Sequence, residues 1–94
     1  MIRVVLPSQL DDYTGGLREL ALDLSAPDDR ALVLNDVIDE LERRYRGVRF
    51  RVVDEQGAIR RHIAMFVGQT MVRTLQAPLA TDDRVQIVGA LSGG

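Results

Sequence analysis

The chain has 94 residues, which is enough for one domain and leaves little room for a deep active-site cleft. Hydrophobic residues make up 46% and charged residues 28%, an ordinary folded composition that excludes disorder. A net charge of −2 gives no general attraction to nucleic acid or anionic lipid, and no apolar run reaches the roughly 18 residues of a membrane span.

Ile2, Val4 and Leu6 recur at period two and predict a first strand with those three residues facing a core. Pro7 ends the pairing. Residues 7–16 (PSQLDDYTGG) read as a polar turn region whose Gly15-Gly16 pair supplies positive φ. Leu20, Leu22 and Leu24 alternate with Ala21 and Asp23, which predicts a second strand in a hairpin with the first. Residues 25–30 form a loop. Asn35 is a good helix N-cap, and Val37, Ile38, Leu41 and Tyr45 make one apolar stripe. Acids crowd the first turns and arginines the last, with Gly47 at the place of a C′ glycine.

Residues 48–53 read as extended, and residues 54–57 (DEQG) as a turn. Ile63, Met65 and Val67 alternate with His62, Ala64 and Phe66, predicting a strand that ends at Gly68-Gln69-Thr70. A short segment follows over residues 71–75, then the turn Thr81-Asp82-Asp83 leads into a last strand over residues 84–88. Residues 89–94 (GALSGG) have no pairing pattern and are expected to project as a tail from a domain of residues 1–88. The order β-β-α-β-(β)-β suits a two-layer α+β sandwich, a single β-grasp domain with a mixed sheet and one main helix on one face.

The chemistry of the tail is specific. Gly93 and Gly94 lack Cβ atoms, so both can thread a narrow enzyme channel. Gly94 then offers an unhindered carboxylate, which becomes reactive once adenylation turns one oxygen into a leaving group.

At this point the chain resembles the MoaD/ThiS family of ubiquitin-like sulfur carriers, and within it the CysO type of cysteine biosynthesis. The residues that carry the likeness are Tyr13-Thr14-Gly15-Gly16, residues 34–42 (LNDVIDELE), and Tyr45-Arg46-Gly47-Val48. Arg61-His62, residues 79–87 (LATDDRVQI) and the closing Gly93-Gly94 complete them. The resemblance implies that an E1-like adenylating enzyme, with Mg-ATP in its own pocket, converts the Gly94 carboxylate to an acyl-adenylate. A sulfurtransferase persulfide then displaces AMP, leaving a C-terminal thiocarboxylate that a downstream sulfur-accepting enzyme uses. By that account this chain binds no cofactor, is no enzyme and works in the cytoplasm without nucleic acid or membrane. The family usually has Asp-Gly-Asp before the last strand. Here Asp82 holds the glycine position and is expected to take left-handed geometry there. Gly89 stands where the family often carries proline.

Alternation places Ala64, Phe66, Gln86 and Val88 on the sheet face away from the helix. An exposed Phe66 beside Val88 makes that face the expected docking patch, joined by Leu91 on the tail. Two other function classes fit the same residues: a ubiquitin-like modifier joined to target lysines, and a structural β-grasp module with an incidental tail. The remaining signals read as structural. Cysteine is absent and His62 is the one histidine, which leaves thiolate chemistry, zinc sites and a Ser/His/Asp triad little to draw on. All 12 basic residues are arginine, so there is no Schiff-base lysine. Asp11-Asp12, Asp28-Asp29 and Asp82-Asp83 are turn formers rather than a metal site. Gly15-Gly16 is not a phosphate loop, and Arg43, Arg44, Arg46, Arg49, Arg51, Arg60 and Arg61 form a basic band that reads as a helix-end complement and solvated face, with contact to an acidic enzyme surface as the alternative.

Overall fold

Strand alternation decides the sheet, as the sequence predicts. In a computed structural model that describes residues 1–89, Ile2 and Val4 of β1 (Ile2–Val5) are fully buried, while Arg3 points to solvent. β1 pairs antiparallel with β2 (Glu19–Leu22) and parallel with β5 (Arg84–Gly89). On its other side β5 runs antiparallel to β3 (Ile63–Val67), which turns through Gly68-Gln69 into β4 (Thr70–Val72). The five-stranded sheet has the order β2-β1-β5-β3-β4, the mixed β-grasp arrangement. Met65, Val85 and Ile87 of the inner strands are buried against the helical layer. Leu22 is buried too, but Leu24 lies beyond β2 and is half-buried.

Residues 7–16 are more than a polar turn. A 3-10 turn (Ser8–Leu10) leads into a single turn of helix, α1 (Asp11–Thr14), and Leu10 drops into the core. Gly15 and Gly16 take φ of 70° and 87°, the positive values expected.

The main helix, α2 (Leu34–Arg44), buries Leu34, Val37, Ile38 and Leu41, and Tyr45 packs half-buried just past its end. Its N-cap is Val33 rather than Asn35. The first two helical N–H groups donate to carbonyls of another segment, Leu34 to Ala77 at 2.9 Å and Asn35 to Leu75 at 2.8 Å. Asp36 completes the cap by accepting the Val33 N–H at 2.9 Å, and Arg30 grips the same carboxylate at 2.8 and 2.7 Å. Tertiary carbonyls thus satisfy donors that an N-cap side chain would otherwise hold.

Gly47 is not the C′ residue of α2. Tyr45 is the C-cap, and Gly47, at φ 100°, is the N-cap of a further short helix, α3 (Val48–Val52). The extended reading of residues 48–53 is therefore corrected. A strand would send Val48, Phe50 and Val52 to one side. The helix buries Val48 and Val52, four apart, and turns Phe50 out to solvent at 64% exposure. The Glu42 carboxylate fixes that choice by accepting the N–H groups of Gly47 and Arg49 at 3.1 and 2.9 Å, an anion at a helix N-terminus. The turn after it forms as expected, with Asp54 accepting the N–H groups of Gln56 and Ala58.

Asp82 also departs from expectation. No described residue other than glycine has positive φ. Asp83 closes the turn instead, accepting the Ala80 N–H at 2.7 Å while its own N–H reaches the Ala80 carbonyl at 3.1 Å.

Several carboxylates are held ionised. Arg43 and Arg44 both donate to Glu40 and lower its pKa from 4.5 to about 2. Asp11 and Asp36 are lowered by hydrogen bonds from Arg18 and Arg30, and Glu42 by the two backbone N–H groups. A folded pKa below the unfolded one stabilises the domain above the unfolded value, and that stability is lost as pH falls through the folded one. Glu40 therefore contributes above pH 4.5 and loses its contribution as pH falls towards about 2. Glu40→Gln should flatten the acid limb of a denaturant-midpoint-against-pH curve over that window and change its slope little above it.

Candidate functional site

The register of the sheet builds a face row by row, because residues directly opposite each other point the same way. Away from the helices, one row crosses all five strands as Met71, Phe66, Gln86, Val5 and Glu19. The next row towards the end of β5 sets Ala64 opposite Val88. Ala64, Phe66, Gln86 and Val88 thus share the open face, as alternation predicts. Phe66 is half-buried rather than exposed, lying between Met71 and Gln86 in the row. In these two rows, the exposed large apolar groups are Met71, at 47%, and Val88, at 36%.

Met71 was not expected in this patch. Only the register Phe66↔Met71 puts it there, and a two-residue loop after Val67 is the sequence signal that could have given it. The face is apolar over β3 and β4. Towards β1 and β2 it turns polar, where Arg3 pairs with Glu19 at 3.1 Å.

β5 is the central strand, and its C-terminal end carries Val88 and then Gly89, which pairs with Ile63. The Gln9 side chain fills the space beside Gly89, where an added Cβ would lie 2.6 Å from it. Residues 90–94 follow directly from this strand end. Leu91, Gly93 and Gly94, the expected tail residues, lie outside the described residues. The apolar strip therefore adjoins the point from which the chain runs on to Gly94.

His62 is exposed and lines a surface cavity with Phe50, Arg51 and Arg60. Among the described residues no three of His, Cys, Asp and Glu come together to hold a metal ion, and no helix is long and apolar enough to cross a membrane.

A sequence profile described as the ThiS family matches residues 12–94. The chain belongs to the ThiS family. It is thus one of a group of small ubiquitin-like sulfur carriers and modifiers. Among solved structures, a chain of the Amycolatopsis orientalis BexX/CysO complex is similar at 28% identity and a TM-score of 0.80, with both chains covered in full. CysO of Mycobacterium tuberculosis, described as an antigen, is 30% identical with a TM-score of 0.77, over 97% of this chain and 100% of that one. SAMP1 from Haloferax volcanii shares the fold at a TM-score of 0.79 and 20% identity, over 99% and 98% of the two chains. No curated protein sequence matches. The ThiS-family match begins in α1 and continues past β5 to Gly94, so it takes in Ala64, Phe66, Gln86 and Val88 together with residues 90–94, while β1 lies outside it.

Proposed function

We propose that this chain is a sulfur carrier and not itself a catalyst. An E1-like enzyme binds Mg-ATP and docks on the open sheet face around Ala64, Phe66, Gln86 and Val88, with Leu91 of the tail. The Gly94 carboxylate attacks the α-phosphorus of ATP, pyrophosphate leaves, and an acyl-adenylate results. A persulfide sulfur then attacks the acyl carbon and AMP departs. A second thiol then attacks the enzyme-side sulfur of this acyl disulfide, so that a disulfide forms, the thiol is oxidised and a thiocarboxylate departs at Gly94. That anionic sulfur is a soft nucleophile at neutral pH and passes to the substrate of a second enzyme in a biosynthetic pathway. The chain contributes the handle and the recognition surface, and holds no cofactor. Such ATP-dependent charging belongs in the cytoplasm.

The observation that carries this reading is the family match extending to Gly94. The likeness to a chain of the BexX/CysO complex supports it, as does the apolar strip adjoining the strand end. The test is intact mass after incubation with ATP, a sulfur donor and an E1-like enzyme. The expected result is one oxygen replaced by sulfur, abolished by deletion of Gly93 and Gly94. A ladder of larger adducts on lysines of other proteins would favour the modifier reading. An unchanged mass, or full charging of the deletion variant, would overturn the proposal.

A further inference from the structure

The 12 arginines divide evenly into those with an ion pair among the described residues and those without, the latter including Arg46 and Arg84. Arg3, Arg18, Arg30, Arg43, Arg44 and Arg49 each pair with a carboxylate. Arg51, Arg60, Arg61 and Arg73 form no ion pair among the described residues, yet they gather in one place. Arg60, Arg61 and Arg73 line a surface cavity of about 380 Å³, and Arg60 with Arg51 and His62 lines a neighbouring one of about 210 Å³. Phe50 stands over the second cavity. Its ring lies 4.6 Å from the Arg60 guanidinium, whose Nε also donates to the Phe50 carbonyl at 2.7 Å. That stack holds a cation and an exposed ring in a fixed relation, at little entropic cost to a later partner.

Four unpaired cations grouped on a chain of net charge −2 run against its overall field. No described carboxylate forms an ion pair with them. Glu42 and Asp54, which lie on the other side of Phe50 with Glu55, already accept backbone N–H groups. The larger cavity also reaches Ala64 and Met71, so the basic surface runs on from the apolar strip of the open face.

We propose that Phe50, Arg51, Arg60, Arg61 and Arg73 form a second docking surface, for an acidic segment of a partner protein that sets an apolar side chain among its carboxylates. Guanidiniums take carboxylates by paired hydrogen bonds, and the Phe50 ring and Met71 supply apolar contact. A protein segment fits better than nucleic acid. One aromatic ring gives a single stacking platform, too little for a run of bases. The surface stands whether or not Gly94 is the reacting group.

The test is an NMR titration of the full-length, isotope-labelled chain with a glutamate-rich peptide carrying one central leucine, at low salt. Shifts should concentrate at Phe50, Arg60, Arg61, Met71 and Arg73 and should shrink as salt rises. Arg61 and Arg73 are exposed and make no side-chain hydrogen bond among the described residues, so R61E/R73E should keep the fold, as an unchanged spectrum elsewhere would verify. Its affinity for the peptide should fall roughly tenfold, and that of R61Q/R73Q by less. Absent or scattered shifts, an affinity indifferent to R61E/R73E, or stronger binding of single-stranded oligothymidylate at the same residues would each overturn the proposal.

Discussion

Val88→Asp should lower kcat/KM for adenylation of this chain by roughly a hundredfold, through KM, with the domain still folded. Val88 is 36% exposed on the open face and sits opposite Ala64, one residue before the end of β5. Gly94 follows Gly89 by five residues, so an enzyme acting on it as proposed works within short reach of this strand end. Covering the apolar strip would strip water from a new carboxylate at Val88 without offering it a donor, a cost of about 2–3 kcal/mol. In the free domain the same side chain faces solvent, so the loss of stability stays below about 1 kcal/mol.

Ala21→Asp is the matched control. Ala21 lies on the same face but across the sheet on β2, opposite Arg3, where a carboxylate meets a cation. It should leave charging unchanged. Pyrophosphate exchange driven by an enzyme that charges the wild-type chain separates the outcomes. A kcat effect without a KM effect, or equal damage from both variants, would place the docking strip elsewhere.

Such a control can be chosen because face parity was legible in the sequence. Strands β1, β3 and β5 each alternate core and solvent residues, and that alone puts Phe66 and Val88 on one face. The α2 stripe is equally plain, since Val37, Ile38 and Leu41 can meet one surface only on a helix. What the sequence leaves open depends on contacts between distant segments. The run Val48-Arg49-Phe50-Arg51-Val52 satisfies both a two-residue period and a four-residue spacing. The Glu42 carboxylate, reached through the fold, chooses the helix.

The start of α2 is similar. Asn35 is the better cap by residue type, but the carbonyls of Leu75 and Ala77 serve the first N–H groups and move the boundary. At the candidate site, Met71 is absent from the sequence reading because strand register, unlike parity, requires the partner strand. Leu10 was hidden by its polar neighbours, and its burial in the core comes only with the packed fold. Family membership was legible in motifs spread along the chain, which join the core stripes of α2 and β5 to the turns around them and the closing glycines.

Gly47→Ala should destabilise the domain by about 2–4 kcal/mol, a large loss for a substitution that adds one methyl group. Two separate penalties combine. Gly47 holds φ at 100°, a conformation that an alanine Cβ makes costly. The added Cβ would also lie 2.6 and 2.9 Å from two ring carbons of Tyr13, which itself packs on the core. Relief by backbone rotation is blocked, since the Gly47 N–H is one of the donors to Glu42 and turning it away would uncap α3. Denaturant unfolding of Gly47→Ala, Tyr13→Ala and the double variant resolves the two. Removing the ring takes away the clash and leaves the backbone cost, so the double variant should be more stable than the sum of the singles by about 1 kcal/mol or more. A single variant within about 0.5 kcal/mol of wild type would mean that the junction of α2 and α3 adjusts without strain. In that case Phe50, carried on α3, would not be fixed over Arg60 by the turn at Gly47.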